Sequence, residues 1–308
     1  MERETQTTTA GRVLAERLGR VGLWTRHLDI QPAEQVRATM AELEALGWGA
    51  LWSWEVFGRE ALTGAGLLLS ATGQMVVGTG IANIWARDPA AMAAAQRTLD
   101  EAYPGRFVLG IGVSHAPIVD ARGHRYERPL DKMRGYLDAM DAAPWQGPPL
   151  AEEPARVVAA LGPRMLALAA ERAAGAMTYN SPPEVTAAAR SAVGPGPLLA
   201  VEQAVVVEDD PAEARRIGRE FIAFYLTLPN YVKAWERAGF GPEELADGGS
   251  DRMVDAVVAW GGPEAIAERI DAQLDAGADH VCLQVLESDP NGLPLAGWRA
   301  LAPALLRR

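Results

Sequence analysis

The stretch from Met75 to Ser114 holds two apolar runs that end in glycine. One closes on Gly78-Thr79-Gly80-Ile81 and continues to Asn83; the other closes on Gly110-Ile111-Gly112 and continues through Val113 and Ser114 to His115. Glycine in such a place lets the main chain approach a flat ring or a phosphate more closely than a Cβ would permit. A third element, Gly162-Pro163-Arg164, reads as the start of a helix with free backbone N–H groups and a guanidinium beside them, an anion site suited to phosphate. Tyr179-Asn180-Ser181 adds hydroxyl and amide donors. Of the tryptophans, Trp24, Trp52, Trp54 and Trp85 stand where they could wall a flat ligand.

Two residues are candidates for proton transfer. Glu55 follows an apolar strand, between Trp54 and a helix; burial there would suit it to give or take a proton, whereas a plain helix-start acid is the other reading. His115 ends the second glycine-closed run, and its imidazole suits general acid work near neutral pH; a loop histidine facing water is the alternative. His124, in the polar segment GHRYERP, reads as solvated, and His280 as structural. The chain has no His/Asp/Glu cluster at metal-ligand spacing, no G-x-S-x-G elbow and no Walker A motif, so no metal site is expected.

The elements around these residues alternate between strand and helix. Apolar strands are expected at 20–25, 50–54, two within 75–113, then 156–161, 175–179, 198–207 and 280–286. Helices begin at Pro32, near Glu60, after Asp88, at Leu130, at Pro163, near Pro183, at Pro211, at Pro263 and near Leu295. Residues 116–129 read as a polar loop and 228–262 as a helix-rich insertion. Eight strands separated by helices in 308 residues predict a single α/β domain, a (β/α)8 TIM barrel over 19–308 preceded by a flexible tail, 1–18. An open doubly wound sheet is the alternative, and the absence of a second glycine-rich fingerprint after Leu150 counts against it. In either case the strand ends that carry glycine are where ligands sit.

Composition narrows the partners. The formal charge of −11 disfavours nucleic acid, and no run of 18 apolar residues predicts a membrane span. The N-terminal segment has no apolar core of a signal peptide, so the cytoplasm is the expected location. Cys282, the single cysteine, excludes an intrachain disulfide and sits in the apolar run HVCLQVL as a buried small hydrophobe.

LEALGWGALW at 43–52, VGTGIANIWARDPAAMAAAQRTLDEAYPGRFVLGIG at 77–112, LGPRMLALAAERAAGAMTYNSPPE at 161–184 and WGGPEAIAERIDAQLDAGADHVCLQVL at 260–286 together resemble the luciferase-like monooxygenase superfamily, and within it the coenzyme F420-dependent oxidoreductases. The resemblance implies the bacterial luciferase-like TIM barrel with an insertion before the last strand. It also implies a cis peptide at Gly80–Ile81 behind the deazaflavin ring, Gly112 to His115 along that ring, and Gly162, Pro163 and Arg164 on the phosphate with Tyr179 nearby. Trp52, Gly80, Ile81 and Asn83 complete the expected cofactor site. Two departures stand out: many relatives have a histidine where this chain has Glu55, and some have a glutamate where it has His115.

The implied activity is hydride transfer between F420 and a small-molecule substrate, Glu55 or His115 moving the proton. The alternative is an FMN-dependent monooxygenase fed by a separate reductase. A non-catalytic barrel is a third reading, which the intact glycine-rich strand ends oppose. The resemblance also implies a homodimer.

Overall fold

The computed structural model describes residues 2–306. Ten strands form: β1 (Val21–Thr25), β2 (Ala50–Ser53), β3 (Val76–Thr79), β4 (Ala82–Asn83), β5 (Phe107–Gly112), β6 (Arg156–Ala159), β7 (Gly175–Thr178), β8 (Leu198–Val206), β9 (Val258–Trp260) and β10 (His280–Leu286). Every pairing is parallel, in the order β10-β1-β2-β3-β5-β6-β7-β8, and β8 closes the ring on β10 through seven residue pairs from His280↔Ala200 to Leu286↔Val206. The two remaining strands are short additions at the upper rim: β4 on β5, and β9 on the part of β8 that rises beyond β7. The expected eight-stranded barrel is therefore the fold, and all eight strands lie where the sequence pattern puts them.

The barrel core follows from the two-residue period of a strand. Outward residues such as Leu51, Val77, Leu109 and Val158 pack against the helices, while inward Trp52, Val76, Val108, Val157, Leu198 and Cys282 fill the interior. Asp88 caps the helix Pro89–Ala102 by accepting from Ala91 N–H, with proline in its first turn as the Asp-Pro pair predicts.

Three expectations need correction. Where a flexible tail was expected, Glu2–Leu18 is helical, and Leu14 and Leu18, one turn apart, are buried in the interior cluster at the base of the barrel. Gly11 lies on the backbone at Gly196–Leu198, where a Cβ would come under 3.0 Å. The polar 116–129 segment contains a helix, Ala116–Ala121. The 228–262 segment holds three helices, Pro229–Arg237, Pro242–Leu245 and Asp251–Val257, but ends in β9 rather than in an irregular loop. No helix among the described residues is long and apolar enough to cross a membrane.

Candidate active site

At the C-terminal end of the strands a cavity of about 280 Å³ opens to solvent. Gly80 after β3, Gly112 at the end of β5 and Gly162 after β6 all line it, together with Glu55, Ile81, Val113, Ser114, His115 and Tyr179. Nine of the residues expected at the site are thus brought to one cavity by five different strand ends. The Gly80–Ile81 peptide is cis. Trp24 reaches from β1 to donate its Nε1–H to the Gly80 carbonyl at 2.8 Å, which pins this turn. A Cβ on Gly112 would meet the Ile81 side chain, whereas one on Gly162 would meet no atom within 4 Å and would project into open space.

Four expected residues lie elsewhere. Trp52 is fully buried one layer below the cavity, its Nε1–H donating to His280 Nε2 at 3.1 Å and its ring covering Gly78. The alternation that turns Trp52 inward also turns Trp54 inward, two residues higher, and Trp54 lines the cavity together with Trp24. Asn83 is buried behind the wall, where its N–H donates to Glu55 Oε2 at 2.7 Å and its Oδ1 accepts from Trp85 N–H at 2.9 Å. Pro163 and Arg164 are exposed on the first turn of the helix Pro163–Arg172 and do not line the cavity. Among the described residues neither the Arg164 guanidinium nor the backbone N–H groups of Gly162 and Arg164 have a hydrogen-bond partner.

The two proton-transfer candidates differ in setting. Glu55 is 7% exposed, and its carboxylate accepts from Asn83 N–H, from Ala61 N–H at 3.3 Å and from Arg87, which also pairs with Glu60. Both oxygens are engaged, so Glu55 ties the β2 end to the β4 turn. His115 stands at the start of Ala116–Ala121, with its ring centroid 5.5 Å from that of Tyr231. Burial lowers its pKa to about 4, so the imidazole is neutral at pH 7. It offers one N–H and one lone pair, and the expected imidazolium acid is not present at neutral pH.

Sequence reasoning named no individual lining residue around the start of the insertion. Phe224, Tyr225, Asn230 and Tyr231 line the cavity from the helices flanking residue 228. Tyr179 Oη donates to Gln284 Oε1 at 2.6 Å and lies 3.0 Å from Tyr225 Oη, joining β7, β10 and the helix Pro211–Leu226. The aromatic density of FIAFYLTLPNYVKAW at 221–235 is the signal that was available.

Glu202 was missed as well. It shares the inward parity of Leu198 and Ala200 on β8, opposite Cys282, and is fully buried. Its Oε2 accepts from Asn180 N–H at 3.0 Å, and its Oε1 has no partner in the protein. Burial raises its pKa to about 8, against 4.5 for an ordinary glutamate. The folded chain thus holds this proton where the unfolded chain has released it, so rising pH favours unfolding until about pH 8. The histidines His27, His115 and His280, each lowered to about 4 chiefly by burial, act with the opposite sign below pH 6.5. Glu202→Gln should therefore remove roughly 2 kcal/mol of stability loss between about pH 6.5 and 8. Urea unfolding of both proteins at the two pH values checks this; equal slopes would mean that Glu202 is ionised in the native state.

A family model described as luciferase-like monooxygenase matches residues 17–280. A 5,10-methylenetetrahydromethanopterin reductase of Methanolobus tindarius is 26% identical over 283 residues, which cover 77% of this chain and 86% of that one. A Mycobacterium tuberculosis protein with the provisional name coenzyme F420-dependent oxidoreductase is 32% identical over 120 residues; there the match spans 39% of this chain and only 35% of that protein's length. Among solved structures, the coenzyme F420-dependent tetrahydromethanopterin reductase of Methanopyrus kandleri superposes with a TM-score of 0.75 at 18% identity, covering 94% of this chain and 99% of that one. The oxygenating constituent of 3,6-diketocamphane monooxygenase of Pseudomonas putida, in complex with FMN, superposes with a TM-score of 0.68 at 17% identity, covering 92% and 95%.

Proposed function

The chain belongs to the luciferase-like monooxygenase family and is a redox enzyme; on that premise we propose that its cofactor is coenzyme F420 and that it moves a hydride between the deazaflavin and a small organic substrate. The observation that carries this reading is the convergence of Gly80, Gly112 and Gly162 on one cavity. The cavity, at about 280 Å³, suits a flat ring and not a whole coenzyme. The phosphate-bearing tail then leaves past Gly162, where the bare backbone, two unpartnered N–H groups and the exposed Arg164 guanidinium suit an anion. The relatives named for F420 chemistry favour this cofactor, and the FMN-bound neighbour supplies the alternative, an FMN-dependent monooxygenase with a separate reductase.

When bound, the deazaflavin supplies a ring carbon that accepts or releases the hydride. The chain's own part is positional. Trp24 holds the Gly80 turn, the aromatic wall limits water, and neutral His115 hydrogen-bonds the substrate and accepts, on its free ring nitrogen, the proton released as the substrate gives up its hydride. Glu55, held by Arg87 and two backbone amides, keeps the turn after β2 in place beside it. A homodimer is part of the same proposal, checked by sedimentation.

Melting the protein with each cofactor tests the reading. At one hundred times Kd a ligand of the native state adds about 2.7 kcal/mol. F420 should raise the melting temperature and FMN should not, and Arg164→Ala should weaken F420 binding about tenfold by loss of a charge-assisted contact. Stabilisation by FMN alone would transfer the assignment to the monooxygenase reading, and by neither to the non-catalytic barrel.

A further inference from the structure

Charge, wall chemistry and size together restrict what the cavity accepts beside a cofactor. Among the described residues no lysine or arginine side chain lines it, and its one carboxylate, Glu55, is already paired with Arg87. The guanidiniums of Arg122 and Arg26 border lining residues, and both are committed: Arg122 to the Val56 carbonyl, over the Phe57 ring at 5.5 Å from its centroid, and Arg26 to the Pro290 carbonyl, over the Trp54 ring at 5.9 Å. His115 is neutral. An anionic substrate would shed its hydration here and meet no countercharge, a transfer proteins avoid. The lining also includes Trp54, Ile118, Tyr126 and Tyr231, which reward apolar surface.

Size adds a direction. With a flat ring seated in about 280 Å³, little volume is left inside, so the body of a second molecule has to extend through the mouth. Large hydrophobic side chains are exposed at few places on the described surface. Two of them are here: Phe224, 47% exposed and itself a lining residue, and Phe57, 65% exposed and next to the lining residue Val56. Exposed aromatics that continue an apolar cavity outward mark a binding surface.

We infer that the substrate is an uncharged molecule with an extended apolar body, which places one polar acceptor on His115 and lies along Phe224 and Phe57 as it leaves the cavity. The inference rests on the redox reading above, in which the ring occupies the glycine-lined wall. It separates this chain from barrels that hold a phosphorylated or carboxylated substrate by a cation.

The test is calorimetric titration of the cofactor-loaded protein with methyl ketones from 2-butanone to 2-decanone, and with decanoate. Affinity should rise roughly threefold to fourfold for each methylene that becomes buried. Decanoate should bind at least about a hundredfold more weakly than 2-decanone. The double variant Phe57→Ser, Phe224→Ser should flatten the ketone series while leaving F420 affinity within about twofold, and His115→Ala should weaken every ketone by a similar factor of about tenfold. A flat series in the unaltered protein, decanoate binding as tightly as the ketone, or an unchanged slope in the double variant would each overturn the inference. So would a double variant that altered only self-association, because the phenylalanines would then belong to contact with a second copy. Failure to bind either F420 or FMN overturns the redox reading and the size argument with it, whereas a flat series or an unchanged double-variant slope in a protein that binds F420 overturns this inference alone.

Discussion

Arg87→Ala should destabilise the protein by about 3–5 kcal/mol, the range for removing one partner of a buried ion pair. The Arg87 side chain is 11% exposed and that of Glu55 3%. Without the guanidinium, the Glu55 carboxylate keeps only the N–H groups of Asn83 and Ala61, and its charge stays largely buried without a countercharge. Arg87 also pairs with Glu60, the residue that caps the helix Ala61–Ser70, so the start of that helix loosens with it. The second arm is Glu55→Gln in the Arg87→Ala background, which removes the orphaned charge and should recover part of the loss. Urea midpoints of the three proteins decide it. An Arg87→Ala protein that unfolds with the parent, or a double variant no better than the single, would mean that Glu55 carries no structural weight and is free for proton transfer.

Gly110→Ala should cost about 3 kcal/mol or more, a large value for one added methyl. Gly110 sits on β5 where its N–H donates to Thr79 Oγ1 at 2.9 Å and its carbonyl accepts from the same hydroxyl at 2.7 Å. A Cβ built on Gly110 falls on the Thr79 carbonyl oxygen, far under 3.0 Å, and no side-chain rotation relieves a clash with backbone. The β3 and β5 ends must part to admit it. Those two ends carry Gly80–Ile81 and Gly112, so the glycine-lined wall should be lost together with stability. The paired measurement is F420 affinity at a temperature where the variant is still folded. Gly162→Ala is the control, since its added methyl enters open space and should leave stability within about 0.5 kcal/mol. Parent-like stability and affinity in Gly110→Ala would show that the strand ends are not packed as described.

The strands were legible because each is a short apolar run bounded by turn residues, a local signal that survives without tertiary context. The glycine-closed ends after β3 and β5 were legible for the same reason, and so was Gly162 ahead of its proline-started helix. The N-terminal helix escaped notice because its polar residues outnumber the two leucines that anchor it, and only the base of the barrel makes those leucines core. The aromatic wall from 221–235 escaped notice because an insertion's pattern does not say which side of it meets the barrel.

Pattern along the chain thus established the strand–helix alternation, the closed parallel sheet and the places where bare backbone meets the strand ends, because each depends on residues within a few positions of one another. It could not establish depth. Trp52 and Trp54 have the same type and the same parity and share Ser53 as a neighbour, yet one is core and the other lines the cavity, because the level of a side chain in a barrel is set by strand stagger against distant partners. Nor could it assign charge state: Glu55 meets Arg87 from a different loop, and Glu202 and His115 are neutral at pH 7 because segments remote in sequence close over them. Burial and countercharge are properties of the assembled chain, and at this site they decide which group can carry a proton.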